Sequence, residues 1–326
     1  MTKDRSGIAV AGSILVDQIN EISAYPNSGE LTKINHVYGA VGGCVPNVSV
    51  DLKKMRPGLP VYAIGKVGAD SNGAFAKTAM SDCGVDVSEI RTDEASVTSF
   101  TQVMSVFRGE RTFFTHPGAS AEFSYHDVDF DALPVKMLHL GYFLLLDRMD
   151  AGDGEKILAE CQKRGIITSI DFVTENSDRY QSLQPILPLV DNLILNEVEA
   201  CRLAGVAVSA DNICRAAKIL KQKGVRDRVV IHMPDCGICF SNFGLTKVGS
   251  LIEPIGFKKG TTGAGDAFCA GTLLGLYDGV NDRELLEFAS MAATVSLSEP
   301  DATSGMKNET EIRGICRNYR RKEVCL

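Results

Sequence analysis

Residues 258–279 read KKGTTGAGDAFCAGTLLGLYDG and place a carboxylate, Asp266, between a Gly-Ala-Gly turn and an apolar run. The apolar run predicts a helix, so Gly263, Ala264 and Gly265 lie at its N-terminus. Unpaired backbone N–H groups and the positive end of the helix dipole meet there and favour an anion such as phosphate. This stretch is therefore a candidate phosphate site with an acid beside it.

A carboxylate next to an anion site calls for an explanation, because like charges repel. Facing a hydroxyl group, Asp266 can accept its proton while the amides stabilise charge on a transferred phosphoryl group. Phosphoryl transfer needs this combination of positioning, charge neutralisation and one base. The alternative is an Asp that only caps the helix, and the residues alone leave both interpretations open.

Short apolar runs followed by acids or other polar residues predict the strands that would position this site. They cover residues 7–17, 61–70, 135–147, 165–172, 191–199 and 228–233. Helical patterns, several of them ending in glycine, lie between these runs. Alternating strands and helices predict a mostly parallel sheet that binds ligands beyond its carboxyl ends. Asp17 and Asp147 end two of the predicted strands and are candidate ligand contacts.

Two segments, residues 17–40 and 96–120, depart from this alternation. They carry β-branched and aromatic residues in alternation with polar ones, together with turn residues, which predicts antiparallel hairpins. We expect the two hairpins to meet as a small second sheet that covers a cleft as a lid. Residues 1–326 would then form a single domain with these segments inserted in an α/β core.

The stretch TTGAGDAFCAG resembles a signature of the ribokinase-like, or phosphofructokinase B, family of sugar kinases. An earlier stretch, GAVGGCVPNVSVDL, resembles the N-terminal signature of the same family, and GSILVD, GKVGADSNG, HPGAS and NEVE agree in order and spacing. The resemblance covers nearly the whole chain. It implies a three-layer α/β/α core with a mostly parallel central sheet and a small antiparallel β lid.

The resemblance also implies roles for individual residues. Asp266 would be the catalytic base, and Gly263, Ala264 and Gly265 would form the anion hole. The implied sugar contacts are Asp17, Gly42, Gly43, Asn47 and Asp147. The implied nucleotide contacts are Asn196, Glu199, His232, Gly237, Thr262 and Gly265. ATP and Mg²⁺ would be the cofactors, with Mg²⁺ held by Glu199 and Asn196 through water.

Each of these assignments has a structural alternative. Asp17 is otherwise a solvated strand end, and Asn47 a helix N-cap. Asn196 and Glu199, three residues apart on one helical face, are otherwise a local capping pair. His232 is otherwise a partly buried histidine at a strand end. In the second hairpin, the basic residues are either sugar contacts or exposed charges; they are Arg108, Arg111 and His116.

The chain departs from the family pattern in two places. Gly260 stands where relatives carry an acid that helps to bind a monovalent cation, and Asp301 stands where glycine is common. A K⁺ requirement is therefore doubtful. His232 and Pro234 replace the usual Thr-x-Gly turn after the nucleotide strand, and only Gly237 is kept. Pro234 also removes a backbone donor, so this turn must differ in detail.

The bulk composition bounds the partners and the compartment. Of 326 residues, 44% are apolar and 23% charged, so the chain can bury a large core. A net charge of −7 argues against nucleic acid as the main partner. The start lacks a signal-peptide pattern, and no apolar run approaches the roughly 20 residues of a membrane span. We expect a cytoplasmic protein without a membrane partner.

Three functions follow from these observations. The first is an ATP-dependent kinase of a small ribose- or fructose-like sugar, and the second is a nucleoside kinase of the same family, which lid aromatics that stack on a base would favour. The third is a non-catalytic sugar or nucleotide sensor, which the intact turn and Asp266 argue against. Because exposed lid edges need covering, we also expect a homodimer formed through the lid.

Overall fold

The computed structural model describes residues 5–106, 111–175 and 177–324. Within these ranges the strands form two sheets. The strands are β1 (Ile8–Gly12), β2 (Leu15–Ile22), β3 (Ile34–Gly42), β4 (Val61–Gly68), β5 (Ile90–Asp93), β6 (Ser99–Val106), β7 (Arg111–His116), β8 (Met137–Phe143), β9 (Ile167–Phe172), β10 (Asn192–Asn196), β11 (Arg228–His232), β12 (Cys236–Ser241) and β13 (Gly244–Gly249).

The helices surround the larger sheet. They are α1 (Cys44–Met55), α2 (Ser71–Asp82), α3 (Gly118–Ala121), α4 (Gly154–Arg164), α5 (Glu197–Ala204), α6 (Ala210–Gln222), α7 (Ala264–Asp278), α8 (Asp282–Ser296) and α9 (Glu309–Cys316). Short 3₁₀ segments cover Tyr125–Asp127 and Arg179–Leu189, and a π-type turn covers Met149–Asp153. None of these helices has the length and hydropathy needed to span a bilayer.

The larger sheet has the order β13-β12-β11-β10-β9-β8-β1-β4-β5. All neighbours from β11 to β5 are parallel, and only β12 and β13 are antiparallel at one edge. The central strand β1 is buried along its whole length, because each face of the sheet packs against helices. Ile8 and Val10 pack on the side of α1, α7 and α8, whereas Ala9 and Ala11 pack on the side of α4, α5 and α6. This confirms the three-layer α/β/α core.

The two hairpin segments meet as the small sheet, with the order β3-β2-β6-β7. Each hairpin is antiparallel, and β2 and β6 join them in a parallel pairing. Strand β3 is exposed for most of its length, whereas its end that joins α1 is buried. The small sheet therefore projects from the core and remains attached at the N-terminus of α1.

Two predicted strands end earlier than the sequence indicates. Residues 7–17 do not form one strand, because the chain turns after Gly12 (φ 135°), where a Cβ would lie 2.4 Å from the carbonyl oxygen of Gly141. Asp17 consequently lies within β2 of the small sheet. Likewise, β8 ends at Phe143, so Asp147 does not end a core strand.

The crossing of α7 and α8 depends on a small residue. A Cβ on Gly271 would lie 2.8 Å from Cα of Ala289. We therefore expect Gly271→Val to lower the free energy of unfolding by about 1–3 kcal/mol through overpacking. Gly314 in α9 is the matched control, since a Cβ there meets no atom within 4 Å.

Gly314→Ala should instead raise the free energy of unfolding by about 0.5–1 kcal/mol, because alanine is the better helix former. Urea denaturation of both variants measures the two effects. A Gly271→Val chain as stable as the parent would contradict the close contact between α7 and α8.

Candidate active site

Gly263, Ala264 and Gly265, the predicted anion site, lie at the N-terminus of α7. Gly263 caps the helix with a left-handed backbone, φ 76°, which glycine adopts without strain. A Cβ on Gly263 would lie 2.5 Å from Cα of Ala302, so no side chain fits there. The first N–H groups of a helix lack intrahelical acceptors and carry the positive end of its dipole. The turn therefore offers backbone donors to an anion.

Asp266 lies in the first turn of α7 and is only 7% exposed. Its Oδ2 atom accepts a hydrogen bond from Nδ2 of Asn47 at 2.8 Å. The hydroxyl of Tyr142 lies 3.1 Å from both carboxylate oxygens and donates to them. Asn47 comes from α1 and Tyr142 from β8, so three elements converge on this carboxylate. Asp266 thus makes hydrogen bonds to other elements of the fold, and the N-cap residue of α7 is Gly263, not Asp266.

Tyr142 and Asp171 are site residues that the sequence analysis missed. Tyr142 has φ 64°, a conformation that bulky residues rarely adopt. Its backbone N–H donates to Oδ1 of Asp171 at 2.6 Å, where the register between β8 and β9 shifts. This irregular backbone directs the phenol towards Asp266. The one signal in the sequence is an acid within the apolar run ITSIDF, which is Asp171 itself.

The electrostatic environment brings the pKa of Asp266 close to neutral pH. Its pKa is raised to about 7, mainly by burial and then by the charge of Asp171. Hydrogen bonds from Asn47 and Tyr142 lower the pKa because they stabilise the charged form. Burial also raises the pKa of Asp17 to about 6. A base with a pKa near 7 suits proton transfer at neutral pH.

Two cavities meet at the N-terminus of α7. The smaller, of about 300 Å³, is lined by Tyr142, Asp171, Glu199, Gly263, Asp266 and Cys269, among others. The larger, of about 400 Å³, is lined by Lys258, Thr261, Ala264, Phe268, Leu297 and Lys322, among others. Asn196, His232 and Gly265 line both cavities. Asp266 itself lines the smaller cavity, next to Gly265, which lines both.

Asn196 and Glu199 form a capping box at the start of α5. Oδ1 of Asn196 accepts from the N–H of Glu199 at 2.9 Å, and Oε2 of Glu199 accepts from the N–H of Asn196 at 3.0 Å. Oε1 of Glu199 also accepts from the hydroxyl of Thr174 at 2.7 Å. Burial raises the pKa of Glu199 to about 8. The pair is thus a structural cap whose buried carboxyl group also lines the smaller cavity.

Asp17, Gly42 and Gly43 lie where the small sheet joins α1. A Cβ on Gly42 would lie 2.6 Å from Oδ2 of Asp17, so the glycine leaves the space that this carboxylate occupies. Gly43 is the N-cap of α1 with φ 90°, and a Cβ there would collide with the turn between β1 and β2 at 2.6 Å. Asp17 is near enough to Asp266 to raise its pKa. The structure therefore gathers these residues with Asn47 around Asp266.

His232 lies at the end of β11, beside Asn196 in the sheet register. Its ring contacts Phe268, with the ring centroids 5.1 Å apart, and lies against Gly265, where a Cβ would be 3.3 Å from Cε1. Burial lowers the pKa of His232 to about 4. The histidine is therefore neutral at physiological pH, and its uncharged ring lines both cavities.

Three other candidates do not line either cavity, and the predicted sugar contacts Asp17, Gly42, Gly43 and Asn47 do not line them either. Asp147 is exposed beyond the end of β8, and its predicted place at a strand end is wrong because the chain leaves the sheet at Phe143. Gly237 is buried in β12 behind Phe268. Thr261, rather than its neighbour Thr262, lines the larger cavity.

Of the three basic candidates in the second hairpin, only His116 has a described side chain. Arg108 lies outside the described residues, and the side chain of Arg111 is likewise not described. His116 is exposed at the end of β7, with its ring 5.3 Å from that of Phe100.

Gly260 lies against the loop that precedes α9. A Cβ on Gly260 would lie 2.8 Å from Cα of Pro300, so the loop occupies the space that an acid would need. Oδ1 of Asp301 accepts the backbone N–H groups of Thr303 at 3.0 Å and Ser304 at 2.7 Å. Burial acts to raise the pKa of Asp301, but these hydrogen bonds keep it below its usual value. Asp301 is thus held as a turn residue.

Comparison with known proteins gives a consistent result. The family described as "pfkB family carbohydrate kinase" matches residues 6–309. A ribokinase of Haemophilus influenzae is 24% identical over 310 residues, which cover 94% of this chain and 97% of the relative.

Two solved structures share the fold. A putative ribokinase II from E. coli, in complex with ATP and Mg²⁺, has a TM-score of 0.81 at 20% identity and covers 96% of this chain and 99% of its own. Arabidopsis thaliana ribokinase, complexed with ribose and ATP, has a TM-score of 0.79 at 21% identity with the same coverage. The chain belongs to the pfkB family of carbohydrate kinases and is a phosphotransferase that uses an alcohol group as acceptor.

Proposed function

We propose that the chain transfers the γ-phosphoryl group of ATP to a hydroxyl group of a small ribose- or fructose-like sugar. The observation that carries this proposal is the position of Asp266, which is buried at a helix N-terminus, lines the smaller cavity and is adjacent to Gly265, which also lines the larger one. Asp266 would then act on the hydroxyl group of the acceptor, and the backbone N–H groups of the α7 turn would act on the phosphoryl group of the donor. The ribokinases similar to this chain, one of them complexed with ribose and ATP, support both substrates.

In this proposal the residues divide between acceptor and donor. Asp17, Gly42, Gly43 and Asn47 contact the sugar, and Asp266 accepts the proton of its reacting hydroxyl group. The amides of Gly263, Ala264 and Gly265 hold the phosphoryl group as its charge develops. Asn196 and His232 contact the nucleotide, because they line both cavities.

Magnesium fits the donor side. Mg²⁺ keeps several waters and takes one or two carboxylates in addition to substrate phosphates. Glu199 offers a carboxyl group in the cavity, whereas Oδ1 of Asn196 is committed to the cap. We propose that Glu199 holds the ion through water and that the phosphates complete its coordination. We propose no K⁺ requirement, since the backbone at Pro300 fills the space beside Gly260.

The small sheet is the proposed lid. It is attached beside Asp17, whose charge acts on Asp266, so its closure would exclude water from the transfer. A cytoplasmic location belongs to the same proposal. ATP and the free thiols of the nine described cysteines both suit a reducing compartment.

The first test removes the base. Asp266→Asn keeps the shape of the side chain but cannot accept a proton, so we expect kcat for sugar phosphorylation to fall by about 10²–10⁴-fold. ATP consumption is measured with a panel of pentoses, hexoses and nucleosides. A response confined to nucleosides would favour the nucleoside kinase, and the absence of any response would favour a sensor. A variant that keeps most of its activity would contradict the assigned base.

The same variant has a second readout, in stability. An acid whose pKa is raised in the folded state binds more protons than the unfolded chain, so stability falls as pH rises from about 4 to about 7. Asp266→Asn removes this loss. The difference in unfolding free energy, variant minus parent, should therefore increase by on the order of 3 kcal/mol between pH 4 and pH 8. Urea denaturation at both pH values measures the difference.

The second test concerns the pH dependence of kcat/KM. The charged form of Asp266 is the base, so activity should fall as pH drops through about 7. Tyr142→Phe removes a donor that stabilises the charged form and should move this limb to higher pH. Asp171→Asn removes a repelling charge and should move it to lower pH. Asp147→Asn, an exposed acid away from the cavities, is the control. Equal shifts in all three variants would contradict the assignment.

The third test concerns the lid. Val37 and Phe114 lie on the face of the small sheet opposite Asp17 and are 66% and 60% exposed. We propose that two lids pair through this face, which would cover both residues and the exposed edge strands. Phe114→Glu should then reduce the mass measured by light scattering from two subunits to one. Phe243→Glu, at a residue 91% exposed in a distant turn, should leave it unchanged. A parent chain with the mass of one subunit would refute the dimer.

A further inference from the structure

A buried cluster of potential metal ligands lies directly behind the smaller cavity. Cys44, His139 and Asp171 are all buried, and their donor atoms lie within 4.8 Å of one another. Cys269 adds a second thiol, with its Sγ atom 3.5 Å from Nε2 of His139. The four side chains come from α1, β8, β9 and α7. The fold, rather than any local motif, brings them together.

The two spacings measured from Nε2 of His139 suit a tetrahedral ion. Zn²⁺ binds its ligands at about 2.0–2.3 Å, which places neighbouring ligands about 3.3–3.8 Å apart. Nε2 of His139 lies 3.4 Å from Oδ2 of Asp171 and 3.5 Å from Sγ of Cys269, both within that range. Nδ1 of the same ring lies 3.0 Å from the hydroxyl of Ser169. Such an outer contact orients a ligating histidine and leaves its other nitrogen for the metal.

We propose that Cys44, His139, Asp171 and Cys269 form an inhibitory site for Zn²⁺ or a similar thiophilic divalent ion. Thiolate and imidazole ligands together select zinc over Mg²⁺. Asp171 and Cys269 also line the smaller cavity, which gives the ion its path of entry. Glu199, the proposed magnesium ligand, is not one of the four side chains of this cluster.

The charge balance permits an ion in this buried place. Cys44 and Cys269 are buried, and burial raises the pKa of both thiols. Zinc binding deprotonates Cys44 and Cys269, and two protons leave as two positive charges enter. The net charge of the cluster therefore does not change on binding. Zinc affinity should therefore rise steeply with pH, with two protons released for each ion bound.

The inhibition follows from the contacts of Asp171. Its Oδ1 atom accepts the backbone N–H of Tyr142, and the phenol of Tyr142 donates to Asp266. An ion that draws Asp171 towards His139 weakens this support for the base. Inhibition rests on the proposed function, whereas binding of the metal does not.

The experiment uses the full chain, freed of metal by chelation, and Co²⁺ as the probe. We expect one ion per chain, with thiolate-to-cobalt absorption in the near ultraviolet. Competition with a chromophoric chelator then gives the Zn²⁺ affinity, and a weakly buffered solution reports two protons released. Cys44→Ala and Cys269→Ala should each lower the affinity by at least about 100-fold.

The control variant is Cys83→Ala combined with Cys214→Ala, which removes two partly exposed thiols and should leave the affinity unchanged. Loss of binding in this control, with binding kept in Cys44→Ala, would overturn the site in favour of surface thiols, and absence of any thiolate–cobalt absorption would overturn it outright.

In the activity arm, a small excess of Zn²⁺ over protein should inhibit sugar phosphorylation at saturating Mg²⁺ and ATP. A chain that binds the metal as described but phosphorylates nothing would refute the proposed function and leave the site standing. A chain that is active, binds Zn²⁺ and is not inhibited would refute the inhibitory role.

Discussion

The architecture of the site depends on one constraint, a carboxylate held out of water without being neutralised by a cation. Asp266 is buried, and a second acid, Asp171, lies close enough to raise its pKa. Burial of an unpaired charge is costly, so its charged form needs donors. Asn47 and Tyr142 supply them from two other elements. The result is an acid whose pKa lies near neutral pH, well above that of a solvated Asp.

This constraint accounts for the irregular features around α7. Tyr142 keeps a left-handed backbone because that conformation places its N–H against Asp171 and its hydroxyl against Asp266. Strain of this kind persists where the surrounding contacts determine it, and it is concentrated at functional sites. Gly263 is left-handed for a different reason, since Ala302 leaves it no room for a side chain. The base and the anion turn are therefore fixed by independent contacts.

The sequence predicted the elements that carry strong local signals. The glycine turn before α7, the alternation of strands and helices, and the two hairpins all follow from local periodicity and turn residues. It did not predict Tyr142 or Asp171, because their roles depend on the register between β8 and β9. The break after Gly12 was missed for a similar reason. The run from residue 7 to residue 17 is apolar on both sides of Gly12 and Ser13, and the turn there meets Gly141, a residue distant in the sequence.

The surroundings of Gly260 bear on how the proposed donor would be neutralised. With the loop at Pro300 filling the space beside Gly260 and Asp301 held in a turn, the anion site must draw positive charge from elsewhere. Lys258 and Lys322 line the larger cavity, and Glu199, which lines the smaller one, would hold Mg²⁺. Together with the dipole of α7, these charges offset a triphosphate without a cation at Gly260. The change at residue 260 is therefore compatible with phosphoryl transfer.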